Sequence, residues 1–166
     1  GYIYSGNKAV GTIQAKVAKP KNDIAKVTAT IQITGEKKVS VKGELDVASG
    51  KLEAYAKDGR ELYLEFGSYG VKGSFGSYEI DGTRNFFSSK DKGEKSAAEE
   101  ILKPYLGAYS MICDGGILSV NIAKKGKVTV KGTIDGNKVL AMAQVLIGED
   151  VLCIPVIYSK KSVNLA

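Results

Sequence analysis

Three glutamates, Glu53, Glu61 and Glu65, interleave with Tyr55 and Tyr63 in the one stretch of this sequence where carboxylates and aromatic rings recur together. Two carboxylates facing each other across a cleft can cleave a glycoside, one donating a proton while the other stabilises or attacks. On the outward face of a single hairpin the same residues are cross-strand neighbours that stabilise a surface. Tyrosine rings there also offer a shallow platform for a sugar or a protein, although the chain has no tryptophan to stack strongly on a pyranose ring. Nucleophilic catalysis needs a Ser, Thr or Cys beside a base. The chain contains no histidine, so the commonest general base and the commonest metal ligand are both missing. Ser88-Ser89-Lys90 is a local Ser/Lys pairing, but it falls where a helix should start and where serine serves as a cap.

Other motifs read as structure. Gly70, Gly73 and Gly76 form a G-x-x-G-x-x-G run with no helix directly after it, so no amide-rich helix terminus meets a phosphate. Glycines in alternating sequence mark bulges or close strand approach instead. Asp114-Gly115-Gly116 and Asp135-Gly136-Asn137 carry too few oxygen ligands for calcium and read as turns. The segment Asp81 to Phe87 places Arg84 beside the pair Phe86 and Phe87, which is expected to order the connection that follows and could serve binding. Cys113 and Cys153 match no zinc or redox spacing and allow one internal disulfide or two free thiols. An intramolecular Lys–Asn crosslink needs a buried lysine, and every lysine falls at an outward or turn position. The candidate binding residues are therefore Tyr55, Tyr63, Glu53, Glu61, Arg84 and Phe86, with no catalytic residue, metal ligand or cofactor implied.

Period-two alternation positions these residues, as expected of half-buried antiparallel strands. Val27, Ala29, Ile31 and Ile33 face one way, and Thr28, Thr30 and Gln32 the other. Val39, Val41, Gly43, Leu45 and Val47 repeat the pattern, followed by Leu52, Ala54 and Ala56, then Leu62, Leu64 and Phe66. A three-residue turn, Lys57-Asp58-Gly59, sets Ala54 opposite Leu62 and Leu52 opposite Leu64. A two-residue turn would mix the faces.

The same order returns about a hundred residues on. Gly11 to Val17 corresponds to Gly116 to Ile122, Lys26-Val27-Thr28 to Lys127-Val128-Thr129, Lys38-Val39 to Lys138-Val139, and Leu52-Glu53-Ala54 to Leu152-Cys153-Ile154. Leu62 and Leu64 correspond to Val163 and Leu165. Between the copies, Ala97, Ala98, Ile101, Leu102 and Tyr105 recur at helical spacing, ending at Pro104 and Gly107. The expected fold is all-β. Two copies of an antiparallel meander, 1–87 and 106–166, form a barrel or two packed half-barrels in one compact domain. One helix, over about 91–103 in a linker of 88–105, joins them. The expected core is Val27, Ile31, Val39, Val41, Leu45, Leu62, Leu64, Leu118, Val120, Val128, Val130, Val139 and Val145. Outward positions of the second copy include Leu140, Met142, Leu146, Val151, Cys153 and Ile157, so the helix is expected across that outer face. A partner interface there is the competing reading.

The formal charge is +6, with 24 basic residues of which only Arg60 and Arg84 are arginine. Nucleic-acid readers favour arginine for its bidentate fork, so the lysines read as a solvated surface that protects sheet edges. No apolar run approaches the ~18 residues of a membrane-spanning helix. The chain opens Gly1-Tyr2-Ile3-Tyr4 without methionine, which reads as a tag scar or a processed end. The final run stops at Ala166 before a sixth segment like Tyr69 to Phe75, which reads either as a truncated chain or as a missing strand supplied from elsewhere in a longer protein, and the unfinished edge is able to accept another strand.

The line from Gly126 to Val139, Gly-Lys-Val-Thr-Val-Lys-Gly-Thr-Ile-Asp-Gly-Asn-Lys-Val, followed by Val151 to Tyr158, resembles little-characterised β-meander repeats of large secreted or surface proteins of bacteria. Those repeats carry a Gly-x-Val-x-Val-x-Gly-x-Leu-x-Asp-Gly-x-x-Val line. The likeness covers residues 106–166, with a weaker echo over 10–66. Ile134 stands for the usual leucine and Lys138 for a small polar residue. The resemblance implies an extracytoplasmic, repeat-derived module and leaves its ligand open. The duplication, the lysine-studded surface, the unfinished final strand and the missing catalytic constellation point to a non-catalytic binding or scaffolding module of a larger parent protein, with other domains of that parent and a glycan or protein as candidate partners. The resemblance carries over no catalytic residues. A carbohydrate-active or other hydrolase using surface carboxylates, and a strand-exchanging assembly subunit, are the alternatives.

Overall fold

The computed structural model describes residues 1–147, 152–153, 158–160 and 163–165. The chain divides into two compact units, Gly1–Arg84 and Asn85–Ala166. The segment read as a linker, 88–105, belongs to the second.

The first unit is an up-and-down barrel of eight strands: β1 (Tyr2–Ser5), β2 (Lys8–Val17), β3 (Ile24–Ile33), β4 (Val39–Asp46), β5 (Lys51–Tyr55), β6 (Glu61–Phe66), β7 (Gly70–Phe75) and β8 (Tyr78–Thr83). Each pairs antiparallel with the next, and β8 returns to β1 with Tyr2 opposite Asp81 and Ile3 opposite Ile80. The barrel is thus completed within this unit alone. Alternation fills it with side chains, as in other barrels of eight strands. Ile3, Ile31, Leu52, Leu62, Leu64 and Phe75 are among the most deeply buried. Each such burial contributes ~1.5–3 kcal/mol relative to exposure. Most outward positions are polar, with Ile24 and Tyr55 as exposed exceptions, the reverse of the apolar-out band of membrane barrels. No helix among the described residues is long and apolar enough to cross a membrane.

The β5–β6 hairpin takes the expected register, with Ala54 opposite Leu62 and Leu52 opposite Leu64. Gly59, at φ +85°, supplies the left-handed residue that a three-residue turn requires. Gly70 and Gly73 are sites of close approach: an added Cβ would overlap the Gly82 carbonyl oxygen at the first and the Tyr63 carbonyl oxygen at the second.

The second unit opens with a turn of 3-10 helix, Phe86–Ser88, and α1 (Lys92–Leu102). Asp91 caps α1, its Oδ1 accepting from the Gly93 and Glu94 amides at 2.7 and 3.1 Å. Four antiparallel strands follow: β9 (Gly107–Cys113), β10 (Gly116–Ile122), β11 (Lys127–Ile134) and β12 (Asn137–Gln144), in spatial order β12-β11-β10-β9. Two short hairpins complete the described chain, β13 (Leu146–Ile147) with β14 (Leu152–Cys153), and β15 (Tyr158–Lys160) with β16 (Val163–Leu165).

Three strands repeat with their register intact. Gly11 faces Ile33 as Gly116 faces Ile134, and Val17 faces Val27 as Ile122 faces Val128. Ile31 faces Val39 as Gly132 faces Val139. The match slips at the next strand: Leu52 faces Leu45, whereas Leu152 faces Ile147 rather than Val145. Every expected core residue is buried except Val39 and Val120, which are partly buried against the two cores.

The helix lies on the opposite face from the one expected. Ala98 and Leu102 pack with Leu118, Ile122, Val128, Val130 and Val139, the inward set, while Leu140 and Met142 remain 64% and 79% exposed. The physical reason is closure. In the barrel the far wall covers the inward face, but among the described residues the sheet of four strands is open and has no far wall. The apolar side of α1 takes that place. Of the other outward residues named, Val151 and Ile157 lie outside the described residues, and the side chains of Leu146 and Cys153 are likewise not described.

Candidate functional site

Direct cross-strand pairing assembles the tyrosine–glutamate surface. On the outside of β5 and β6, Tyr55 faces Glu61, Glu53 faces Tyr63 and Lys51 faces Glu65. The Tyr63 hydroxyl donates to Glu65 Oε2 at 3.3 Å. The third row continues around the wall as Lys51, Glu65, Lys72 and Asp81, with alternating charge on four successive strands. Opposite charges at directly paired positions stabilise a sheet by ~0.2–1 kcal/mol per pair. The second row continues from Tyr63 through Ser74 and Glu79 to Tyr4. A shallow depression between β7, β8 and β1 is lined by Tyr4, Asn7, Lys72, Glu79 and Asp81.

The barrel wall is electrostatically two-sided. Strands β5–β8 carry Lys51 and Lys72 against Glu53, Glu61, Glu65, Glu79 and Asp81. Strands β2–β4 carry Lys8, Lys16, Lys26 and Lys42 against Glu44 and Asp46. The candidate surface therefore sits on the acidic side. Tyr55 is 69% exposed there, a large ring on a rigid strand with its outer face open to solvent.

Arg60 fixes the tip of this hairpin. Its guanidinium donates to Asp58 Oδ2 at 2.7 Å and to Glu36 Oε2 at 2.8 Å, and lies 4.5 Å from the centre of the Phe75 ring. The β5–β6 turn is thereby tied to the β3–β4 turn and to the buried end of β7. The hydrogen bond from the Arg60 side chain holds the Asp58 carboxyl below the usual carboxylate range, and Asp58 and Glu36 together raise Arg60. Asp46 is lowered chiefly by the Ser49 hydroxyl and then by the Ala48 amide, both of which donate to it at 2.9 Å. This role for Arg60 is not evident from alternation or composition. The available signal was Asp58 two residues before it in a turn.

The remaining candidates separate. Arg84 ends the first unit, its amide donating to the Tyr69 carbonyl at 2.7 Å. Phe86 belongs to the second unit and is partly buried against that core, with Phe87 fully within it. The Phe pair therefore orders the approach to α1. Ser89, half of the Ser/Lys pairing, donates to Glu94 Oε2 at 2.6 Å and accepts from the Asp91 amide, which builds the helix start. Cys113 is a free thiol whose Sγ donates to the Gly116 carbonyl at 3.7 Å. The side chain of Cys153 and the edge expected at Ala166 lie outside the described residues.

Glu53, Glu61 and Glu65 are all exposed on the outside of a closed barrel and do not oppose one another across a cleft. Among the described residues, no three His, Cys, Asp or Glu side chains group closely enough to hold a metal ion. No polar or charged residue among them is buried. Comparison with protein families, with curated proteins and with solved structures finds no match.

Proposed function

We propose that this chain is a non-catalytic binding module whose recognition surface is the outward face of β5 and β6. The observation that carries this reading is Tyr55, exposed on a strand of a closed barrel and paired in register with Glu61 beside the Glu53–Tyr63 pair. Exposed tyrosines supply contact area at little cost in conformational entropy, and their hydroxyls accept or donate to a partner. Five acids against two lysines on this wall suit a ligand bearing lysine or arginine, so a basic protein surface is favoured over a neutral glycan. The convex wall also fits a protein groove better than it grips an isolated sugar ring.

The module belongs, in this reading, to a larger protein displayed or secreted by a bacterium, as the repeat resemblance implies. Scattered lysines with only two arginines support a partner other than nucleic acid. The test is a screen of the labelled chain against glycans and basic proteins, followed by mapping of amide shifts on binding. Shifts centred on residues 51–66 support the proposal. A ligand mapping to β2–β4, or product formation from any screened glycan, overturns it.

A further inference from the structure

Large apolar side chains that face water are ordinary when scattered and informative when they gather. The first unit exposes five: Val17, Ile24, Val47, Tyr55 and Tyr69. Tyr55 lies on the outer wall. The other four, at 46%, 47%, 43% and 51%, all sit at one end of the barrel, where β2, β4 and β6 finish and β3, β5 and β7 begin. The connections at the opposite end, 6–7, 34–38, 56–60 and 76–77, contain no large apolar residue. The β2–β3 hairpin that carries Val17 and Ile24 also concentrates charge. It holds Lys16, Lys19, Lys21 and Lys26, all exposed, against the single acid Asp23.

The tip of this hairpin is a built element. Lys21 and Ile24 exchange amide–carbonyl hydrogen bonds at 2.8 and 3.1 Å across Asn22 and Asp23, whose φ angles of +49° and +62° are those of a type I′ turn. The Ala18 amide donates to the Lys26 carbonyl at 2.8 Å, and the Val47 amide to the Asp23 carbonyl at 2.9 Å, which ties the tip to the end of β4. Asp46, directly opposite Ile24, has its carboxylate engaged by the Ala48 amide and the Ser49 hydroxyl.

We propose that this end of the barrel docks on an anionic lipid surface, with Val17, Ile24, Val47 and Tyr69 set into the interface and the four lysines on lipid phosphates. Peripheral docking of this kind adds apolar burial to electrostatic attraction, and here one preformed turn supplies both. Lysine stems lie along apolar surface while their ammonium groups reach outward to phosphate. A turn that is apolar and cationic together matches a plane of headgroups, in which apolar groups sink below the charged layer. The chain then lies on the bilayer through this end.

The test is co-sedimentation of the full chain with vesicles of phosphatidylcholine alone and of an equal mixture of phosphatidylcholine and phosphatidylglycerol. The expected result is binding to the mixed vesicles only, weakened by salt. Lys19→Glu with Lys21→Glu should lower that binding at least ten-fold, since each lysine near an anionic surface contributes about five-fold. Lys37→Glu with Lys38→Glu makes the same change of net charge at the opposite end and should leave binding unchanged within about two-fold. The chain has no tryptophan, so Ile24→Trp supplies a single reporter whose emission should shift to the blue only when mixed vesicles are added. Circular dichroism verifies that each variant folds. No binding to the mixed vesicles, equal binding to both kinds, or equal loss from the two lysine pairs overturns the proposal. So does a reporter already shifted to the blue without lipid, which would mean that protein covers this end.

Discussion

Replacing Gly73 by alanine tests the barrel geometry in a way that composition alone would misjudge. An alanine in a strand normally gains ~0.5–1 kcal/mol over glycine, because it restricts the unfolded chain. Here the new Cβ would overlap the Tyr63 carbonyl oxygen and sit 2.9 Å from its carbon and 3.0 Å from Leu64 Cα. All three are backbone atoms of the neighbouring strand, so no flexible side chain can swing away. Overpacking of that kind costs ~1–3 kcal/mol, which outweighs the entropic gain and reverses the sign. For a unit of this size, each kcal/mol lowers the melting temperature by roughly 4–8 °C. Gly76→Asn is the matched control. Its φ of +58° suits asparagine, and its Cβ meets only the Arg60 side chain, at 3.4 Å or more. Urea and thermal unfolding, followed by tyrosine near-UV circular dichroism, should show Gly73→Ala destabilised and Gly76→Asn nearly unchanged. A Gly73→Ala protein as stable as the parent would refute the close approach of β6 and β7.

Three further outcomes follow from other contacts. Asp91→Ala removes the acceptor for two amides at the start of α1 and should cost ~0.5–2 kcal/mol in the second unit, read as lost helical ellipticity and earlier unfolding there. Asp58 and Asp46, both held below the usual carboxylate value, add stability above that value and lose it as pH falls through their lowered pKa. Carboxyl NMR titration should therefore place both midpoints below ordinary aspartate, and Arg60→Ala should return Asp58 alone toward normal. Phe87→Ala should leave a cavity costing ~3–5 kcal/mol. Because Phe87 packs in the second core, the unfolding of residues 1–84, followed by amide exchange, should be unchanged.

The sequence disclosed what local pattern controls. Alternation located β3 and β4, and the apolar positions of β5 and β6 fixed their pairing. The shared order of glycines and valines located three strands whose register does recur. The barrel itself was legible from the repeated alternation, but its closure within residues 1–84 alone was not, because that depends on pairing across nearly the whole unit: Tyr2 meets Asp81 through two short strands with weak alternation. The face covered by α1 was hidden for a related reason. Leu140 and Met142 look like positions that need a roof, yet the larger apolar area lay on the inward side once the sheet stayed open. Tyr55, Tyr63, Glu53 and Glu61 were legible as one surface because they belong to one hairpin. Arg84 and Phe86 were not separable by sequence, since two residues with only Asn85 between them give no sign that a unit boundary falls there.

The most direct test of the account is the affinity of a ligand from the screen for Tyr55→Ala and Glu61→Lys, set against Lys16→Glu and Lys42→Glu on the opposite wall. Loss of an exposed aromatic anchor or reversal of its neighbouring charge should weaken binding at least ten-fold, about 1.4 kcal/mol. The two lysine reversals should leave affinity unchanged within about two-fold. Equal affinity for Tyr55→Ala, Glu61→Lys and the parent chain would contradict the assignment of recognition to β5 and β6.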